Sequence, residues 1–107
     1  MTLHYDYFSG HSITVENSLK KSLAAYIIKY NRVKIGITNN PERKAKEHDK
    51  NGSWKRMFVK FYTTSEKNVS EVVNIIAAHH WDQVENEISG GEGPKGCAPY
   101  YLYVLVA

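Results

Sequence analysis

The chain has 107 residues and a formal net charge of +3, and its apolar fraction of 42% and charged fraction of 23% are typical of one small folded domain rather than a disordered chain. The single cysteine, Cys97, excludes an internal disulfide and a four-cysteine zinc site, and it suits a reducing compartment better than secretion. The N-terminus shows no signal peptide, and the longest apolar run, residues 100–107, is too short to span a bilayer. We therefore expect a cytoplasmic protein (or a nuclear one in a eukaryote) with no membrane partner.

The N-terminal piece carries the weakest structural signal. Residues 1–13 show no clear period and predict an irregular lead-in or a short edge strand. Thr14 is a candidate cap for a short helix that ends near Lys21. We therefore expect a lead-in over residues 1–22 and one domain over residues 23–107.

The next segment predicts a β-hairpin. Residues 23–30 are apolar and β-prone, residues 33–38 alternate in polarity, and the Asn-Arg pair between them is a polar break. Two such runs around a two-residue turn are typical of antiparallel strands. Gly36 inside the second strand indicates the close approach of a backbone or a ligand.

A helix and a third strand follow the hairpin. Asn40 is a suitable N-cap and Pro41 a suitable first residue for a helix that ends near Asp49 or Lys50. This helix has almost no apolar residue, so we expect it on the surface. Residues 54–64 predict the third strand.

The second half predicts a core helix and a central strand. The helix starts after Ser65 or Ser70 and continues to residue 88, with a wide apolar stripe, and the residues from 100 to the end are a nearly all-apolar strand typical of the middle of a sheet. The order β-β-α-β-α-β predicts a small α+β sandwich, with a mixed or antiparallel sheet flanked by helices.

Charge is distributed unevenly along the chain. Residues 20–67 hold 13 of the 14 basic residues and four of the 11 acidic ones, which leaves a balance of +9, whereas residues 1–19 and 68–107 carry −2 and −4. A basic half beside an acidic half favours a polyanion as partner. A lysine-rich solvated surface explains the same charges.

Several cations of this basic half are predicted to converge. The hairpin would bring Tyr26 close to the end of the strand that carries Lys34, and Lys44 and His48 share a helix face because they are four residues apart. Arg43 lies on the adjacent face. A phosphate there would meet cations, a hydroxyl and an imidazole, which suit charge stabilisation and proton transfer. An ordinary solvent-facing helix is the alternative.

Other motifs carry less chemistry. His79 and His80 are neighbours on a helix and point about 100° apart, so they do not easily chelate one metal ion. Trp54, next to two cations, and the tyrosines near the C-terminus could stack on unpaired bases or form core. The glycine-rich run at residues 90–96 matches no phosphate-loop spacing, and Cys97 has no activating pair in the sequence.

The stretch AYIIKYNRVKIGITNNPERKAKEH resembles the core of the GIY-YIG nuclease superfamily, in the branch, found in many phage and bacterial proteins, whose second triplet reads Lys-Ile-Gly. The resemblance covers residues 24–48 and extends loosely to the helix near residues 70–82. It implies a hairpin that carries both triplets, a helix with Arg and His, and a divalent-metal-dependent DNA endonuclease.

The catalytic positions of that family carry over unevenly. The resemblance places Tyr26 on the family's first tyrosine and His48 on its histidine. Lys34 takes the place of the second tyrosine. The family's arginine falls on Lys44, with Arg43 one residue earlier, and a lysine offers charge without the bidentate fork of an arginine.

The metal ligand implied by the resemblance is a glutamate on the later helix. Glu71 is the candidate and would hold Mg²⁺ or Mn²⁺, but aligning Trp81 with the family's aromatic residue puts Asn74 in that position. An amide is a poor substitute for the carboxylate that holds Mg²⁺. Loss of the metal would leave a basic face that binds phosphates without cleaving them.

Three hypotheses follow, and the sequence alone does not decide whether the protein is an enzyme. The first is an active nuclease in which Tyr26 or His48 assists deprotonation of water and Arg43 or Lys44 stabilises charge. The second is a degenerate GIY-YIG-like module that binds DNA or RNA, and the third is a protein-interaction domain. Further cations predicted to contact nucleic acid are Lys29, Arg32, Lys46, Lys55, Arg56 and Lys60.

Overall fold

In the residues that this computed structural model describes, a five-stranded sheet carries three helices. The structure describes residues 1–8, 12–50, 52–78, 84–86 and 99–107. In chain order its elements are β1 (Thr2–Phe8), α1 (Ser12–Lys29), β2 (Val33–Thr38), α2 (Pro41–Asp49), β3 (Arg56–Thr63), α3 (Glu66–Ala78), β4 (Val84–Asn86) and β5 (Tyr100–Val106). The His79–His80 pair, the glycine-rich run and Cys97 lie outside the described residues.

The strands are arranged in the order β1-β3-β5-β2-β4. The last strand, β5, lies between β3 and β2 and is antiparallel to both, while β1 is parallel to β3 and β4 is parallel to β2. The prediction of a central C-terminal strand is therefore confirmed, as is the α+β class with a mixed sheet.

The predicted hairpin is wrong, because residues 23–29 of its first strand belong to α1. Val15, Leu19 and Leu23 are spaced four residues apart and are fully buried, so they form one helical stripe on the sheet. That spacing outweighs the β-propensity of the later isoleucines. The expected boundary after residue 22 falls inside this helix.

The two faces of the sheet carry different layers. On one face, the α1 side, helices α1 and α3 cover a core that includes Val33 and Ile35 of β2. On the other face, the α2 side, α2 and Trp54 cover a second core that includes Tyr103 of β5. Because side chains alternate along a strand, Lys34 lies on the α2 side, where its ammonium is 5.9 Å from the centre of the Trp54 ring.

The core helix is shorter than the sequence predicts. Ser65 is its cap, since its hydroxyl accepts the backbone N–H of Asn68 at 3.2 Å. The predicted extension to residue 88 is wrong for Val84–Asn86, which form β4 beside β2, with Val84 next to Val33. Burial of Val84 along the sheet edge accounts for the strand.

The N-terminal residues form the edge strand β1, one of the two expected alternatives. It pairs with β3 from Thr2 opposite Arg56 to Phe8 opposite Phe61, with an irregularity after Tyr5. The predicted strand over residues 54–64 is confirmed as β3.

Candidate nucleic-acid interface

A hydrogen-bonded turn fixes the start of α2. Asn40 is the N-cap, as predicted, and its side-chain oxygen accepts the Arg43 N–H at 3.1 Å, with Pro41 at the first helical position. The Thr38 hydroxyl accepts the Asn40 N–H at 3.1 Å and donates to the Asn40 carbonyl at 3.2 Å. The Arg43 guanidinium donates to the Asn39 side chain at 3.1 Å. This turn therefore holds a cation at the start of the helix.

His48 faces the sheet. It lies with Pro41 and Ala45 on the buried stripe of α2 and is only 6% exposed. Its ring centre is 6.1 Å from that of Tyr103 and 6.5 Å from that of Trp54. His48 thus belongs to the packed layer between α2 and the sheet, whereas an open phosphate site needs an imidazole that the ligand can reach.

Tyr26 does not join Lys34, Lys44 and His48, so the predicted convergence of these four side chains is wrong. Tyr26 lies on α1 and stacks on Phe58 with ring centres 4.8 Å apart, on the face of the sheet opposite α2. The physical reason is that this segment is a helix across the sheet rather than a strand beside β2. The triplet at residues 24–26 is helical, whereas the resemblance requires it on a strand.

Glu71 is also placed away from these cations. It is exposed on α3, which packs beside α1, so the sheet separates it from the layer that contains Lys44 and His48. Asn74 is exposed on the same helix. The described residues include no group of three His, Cys, Asp or Glu side chains that could hold a metal ion. A divalent ion on Glu71 therefore does not fit a phosphate bound at Lys34 and Lys44.

Four cations on α2 and on the segment that follows it make up what we term the basic ridge. Arg43, Lys46 and Lys50 are spaced three and four residues apart on the outer side of α2, and Lys55 lies on the segment that leads to β3. All four residues are exposed. From Arg43 to Lys50 the ridge extends for about 10 Å along the helix axis.

The acidic residues near the C-terminal end of this helix already have partners. A carboxylate oxygen of Asp49 lies 3.0 Å from the Met1 ammonium, and Glu47 lies 3.5 Å from the Lys44 ammonium and 4.0 Å from the Arg43 guanidinium. Within the part of the chain that the structure describes, no carboxylate lies within ion-pair distance of the three ridge lysines, Lys46, Lys50 and Lys55. Their charges are therefore directed at solvent.

Trp54 supports a second pair of cations beside the ridge. The Arg32 guanidinium lies 4.4 Å from the centre of its ring, and the Lys34 ammonium also lies within reach of that ring. Arg32 donates two hydrogen bonds to the Glu85 carboxylate, at 3.0 and 3.1 Å. These bonds raise the pKa of Arg32, so its charge is permanent, but it is already matched by an acid.

Of the other cations predicted to contact phosphate, some have exposed side chains and one is buried. Lys29 and Arg56 are exposed, the first with its ammonium 5.5 Å from the centre of the Tyr30 ring and the second 3.2 Å from the His4 imidazole. Lys60 is only 2% exposed. Its burial makes the expectation that it contacts phosphate wrong.

Lys60 is engaged within a polar cluster on the α1 side. Its ammonium donates to Asp6 at 2.7 Å and to the Tyr26 hydroxyl at 3.2 Å. The pairing register shifts between Val59 and Phe61, which leaves Lys60 as the extra residue of a β-bulge. This cluster joins residues that are far apart in the sequence, so no local pattern could have indicated it.

Removing Asp6 should lower the stability of the protein more than removing Lys60. We expect Asp6→Ala to lower the free energy of unfolding by about 1–3 kcal/mol, because it leaves a buried ammonium without its carboxylate. The loss stays below that of a fully buried pair, since the Asp6 side chain is 61% exposed to water. Lys60→Met should change stability by less than about 1 kcal/mol, because Asp6 can then hydrate. Urea denaturation measures both, and a larger loss for Lys60→Met would contradict this account.

The architecture is that of a small α+β sandwich; among the described residues, α2 lies on one face of the sheet and α1 and α3 lie on the other. Comparisons of the chain with protein-family models, curated proteins and solved structures find no match. Within the described ranges, none of the helices is long and apolar enough to cross a membrane.

Proposed function

We propose that this protein binds nucleic acid through its phosphates, with the basic ridge as the contact surface. The observation that carries the proposal is the pairing pattern at α2 and just after it. Glu47 and Asp49 are engaged, while Lys46, Lys50 and Lys55 have no described acidic partner. The remaining acid of the helix, Glu42, lies in its first turn, at the opposite end from Lys50.

Unpaired lysines in a row are suited to a phosphate backbone. An exposed lysine that already has a carboxylate neighbour gains little from a phosphate, whereas an unpaired one releases the phosphate's condensed counterions on contact. If all four ridge cations each contact one phosphate, the slope of log affinity against log salt should be about −2.8 on single strands and about −3.6 on B-DNA.

A pair of double variants tests the ridge. Lys46→Gln/Lys50→Gln should weaken binding of a labelled oligonucleotide by about ten-fold or more at moderate salt and reduce the salt slope by about 1.4 to 1.8. The matched control is Lys21→Gln/Lys67→Gln on α1 and α3, because both doubles lower the formal net charge from +3 to +1. Fluorescence anisotropy across a salt series measures both quantities.

The two doubles also define the results that would overturn the proposal. Equal losses in both would mean that net charge alone attracts the ligand and that the ridge is not a site. No binding of DNA or RNA by the unmodified protein would overturn it outright. A dimer that dissociates in salt, without any nucleic-acid binding, would favour the protein-interaction alternative instead.

The endonuclease activity implied by the GIY-YIG resemblance remains a prediction. The same oligonucleotides incubated with Mg²⁺, Mn²⁺ or EDTA test it alongside binding. Binding without cleavage is the result that we expect from the burial of His48 and from the position of Glu71 across the sheet. Metal-dependent cutting that is lost in Glu71→Ala would contradict that expectation and support the nuclease.

A further inference from the structure

Three tyrosines lie on adjacent strands beside the basic ridge. Tyr5 is on β1, Tyr62 on β3 and Tyr101 on β5, and these strands are neighbours in the sheet. Tyr62 and Tyr101 are direct register partners, with ring centres 5.2 Å apart and ring planes inclined at 50°. Tyr5 has Glu42 and Tyr101 as neighbours, and partial burial together with these two groups raises the pKa of its phenol. We term these residues the tyrosine row.

All three side chains are on the α2 side of the sheet. Tyr101 packs against the core under α2, and Tyr5 is in register with Val59 of that core. After the bulge at Lys60, Phe61 faces α1, so the next residue, Tyr62, faces the α2 side with its partner on β5.

The helix α2 leaves Tyr5 and Tyr62 exposed, while Tyr101 is half-buried. Tyr103 also faces α2, two residues from Tyr101 on β5, and it is fully buried. By contrast, the exposed fractions are 47% for Tyr5 and 46% for Tyr62. The α2 side of the sheet is thus divided into a covered part and an open aromatic part.

The open part meets the ridge at the start of α2. Thr38 of β2 is in register with Tyr101, and the next residue, Asn39, accepts a hydrogen bond from the Arg43 guanidinium. Arg43 is the first cation of the ridge, and its side chain is 61% exposed. A phosphate held at Arg43 would therefore carry its attached base close to the tyrosine row.

From this juxtaposition we propose that the tyrosine row binds unpaired bases, so that the ligand of this protein is single-stranded nucleic acid. The inference rests on the proposed function, since the ridge must hold the phosphates. Aromatic rings on an open sheet face stack on bases, whereas the bases of a duplex are already stacked on each other and face inward. Exposed tyrosines beside carboxylates alone would suit a protein partner, but here Arg43 of the basic ridge adjoins the row as well as Glu42.

Ligands with and without bases separate stacking from phosphate contact. We expect the protein to bind a short single-stranded oligonucleotide about five-fold or more tightly than an abasic strand of the same length and charge. Tyr62→Val removes the ring from a strand position and should abolish that preference without changing the affinity for the abasic strand. Tyr62→Phe retains the ring and should keep the preference.

The possible results distinguish failure of this inference from failure of the proposed function. Equal affinity for the base-containing and abasic strands, or a preference that persists in Tyr62→Val, would overturn the base-binding inference alone. Tighter binding of a duplex than of either single strand would also overturn it. No binding of any strand would overturn both proposals. Tyr5→Val on the edge strand is the second variant if Tyr62→Val does not fold, and it should reduce the same preference.

Discussion

Replacing Trp54 with alanine should lower the free energy of unfolding by about 3–5 kcal/mol. The side chain is only 8% exposed and packs in the core between α2 and the sheet. A buried aromatic ring removes about 150–250 Å² from water, which accounts for a loss of this size. Urea denaturation of the variant beside the unmodified protein measures it.

Most of the lost stability should be local to α2, because that helix has few other buried side chains. Its buried stripe consists of Pro41, Ala45 and His48, and the His48 ring meets Trp54 edge-on. Amide hydrogen exchange in α2 should therefore accelerate more in Trp54→Ala than exchange in α1. Trp54→Phe keeps a ring in the site and is the matched control, with a smaller loss expected. Unchanged protection of α2 in Trp54→Ala would show that the ring does not anchor the helix.

Elements whose structure is decided by their own residues could be predicted from the sequence. The N-terminus of α2 follows from an Asn-Pro pair, in which Asn40 caps the helix and Pro41 needs no hydrogen-bond acceptor. The central position of β5 follows from a continuous apolar run, since a strand buried on both faces needs no polar alternation. In both cases the local signal and the tertiary environment agree.

The second half of α1 could not be predicted from propensity, because its tertiary environment decides between a helix and a strand. Ile27 and Ile28 are β-branched and favour a strand, and Ile28 is 87% exposed, which is uncommon for isoleucine. Leu19 and Leu23 nevertheless continue as a helical stripe through Ile27, and their burial outweighs the local preference.

The candidate site was only partly accessible to sequence reasoning. Lys46 and Lys55 are among the cations predicted to contact nucleic acid, whereas Lys50 is not, although its spacing from Lys46 places both on one helix face.

Of the tyrosine row, Tyr101 belongs to the C-terminal tyrosines that could stack on bases or form core. Tyr62 could not be predicted to join it, because the bulge at Lys60 reverses the sides of the residues that follow, so that Phe61 faces α1 and Tyr62 faces the α2 side. No local pattern in the strand marks that bulge, and the ring beside Tyr62 comes from Tyr101 on another strand.

Replacing Gly36 with alanine should lower the free energy of unfolding by about 3 kcal/mol, the upper part of the range for overpacked cores. A Cβ atom at this position would lie 2.2 Å from the Tyr103 hydroxyl oxygen and 2.3 Å from the Cζ atom of its ring. Tyr103 is fully buried beside His48, so its ring cannot swing into solvent. In a strand with open space at this position, Gly36→Ala would raise the free energy of unfolding by about 0.5–1 kcal/mol. The sign of the change in stability therefore tests the contact with the Tyr103 ring.

A double-mutant cycle identifies the neighbour responsible. In a Tyr103→Leu background the distal ring atoms are absent, so Gly36→Ala should then cost less than about 1 kcal/mol. Gly52→Ala is the control, because its backbone has a φ of 64° and nothing within 4 Å, so it should cost about 1 kcal/mol in both backgrounds. The sequence predicts that a backbone or a ligand lies close to Gly36. The cycle decides whether the buried ring of Tyr103 on the adjacent strand is by itself the reason that position 36 needs a glycine. An equal loss for Gly36→Ala in both backgrounds would mean that the Tyr103 ring is not what excludes a side chain here.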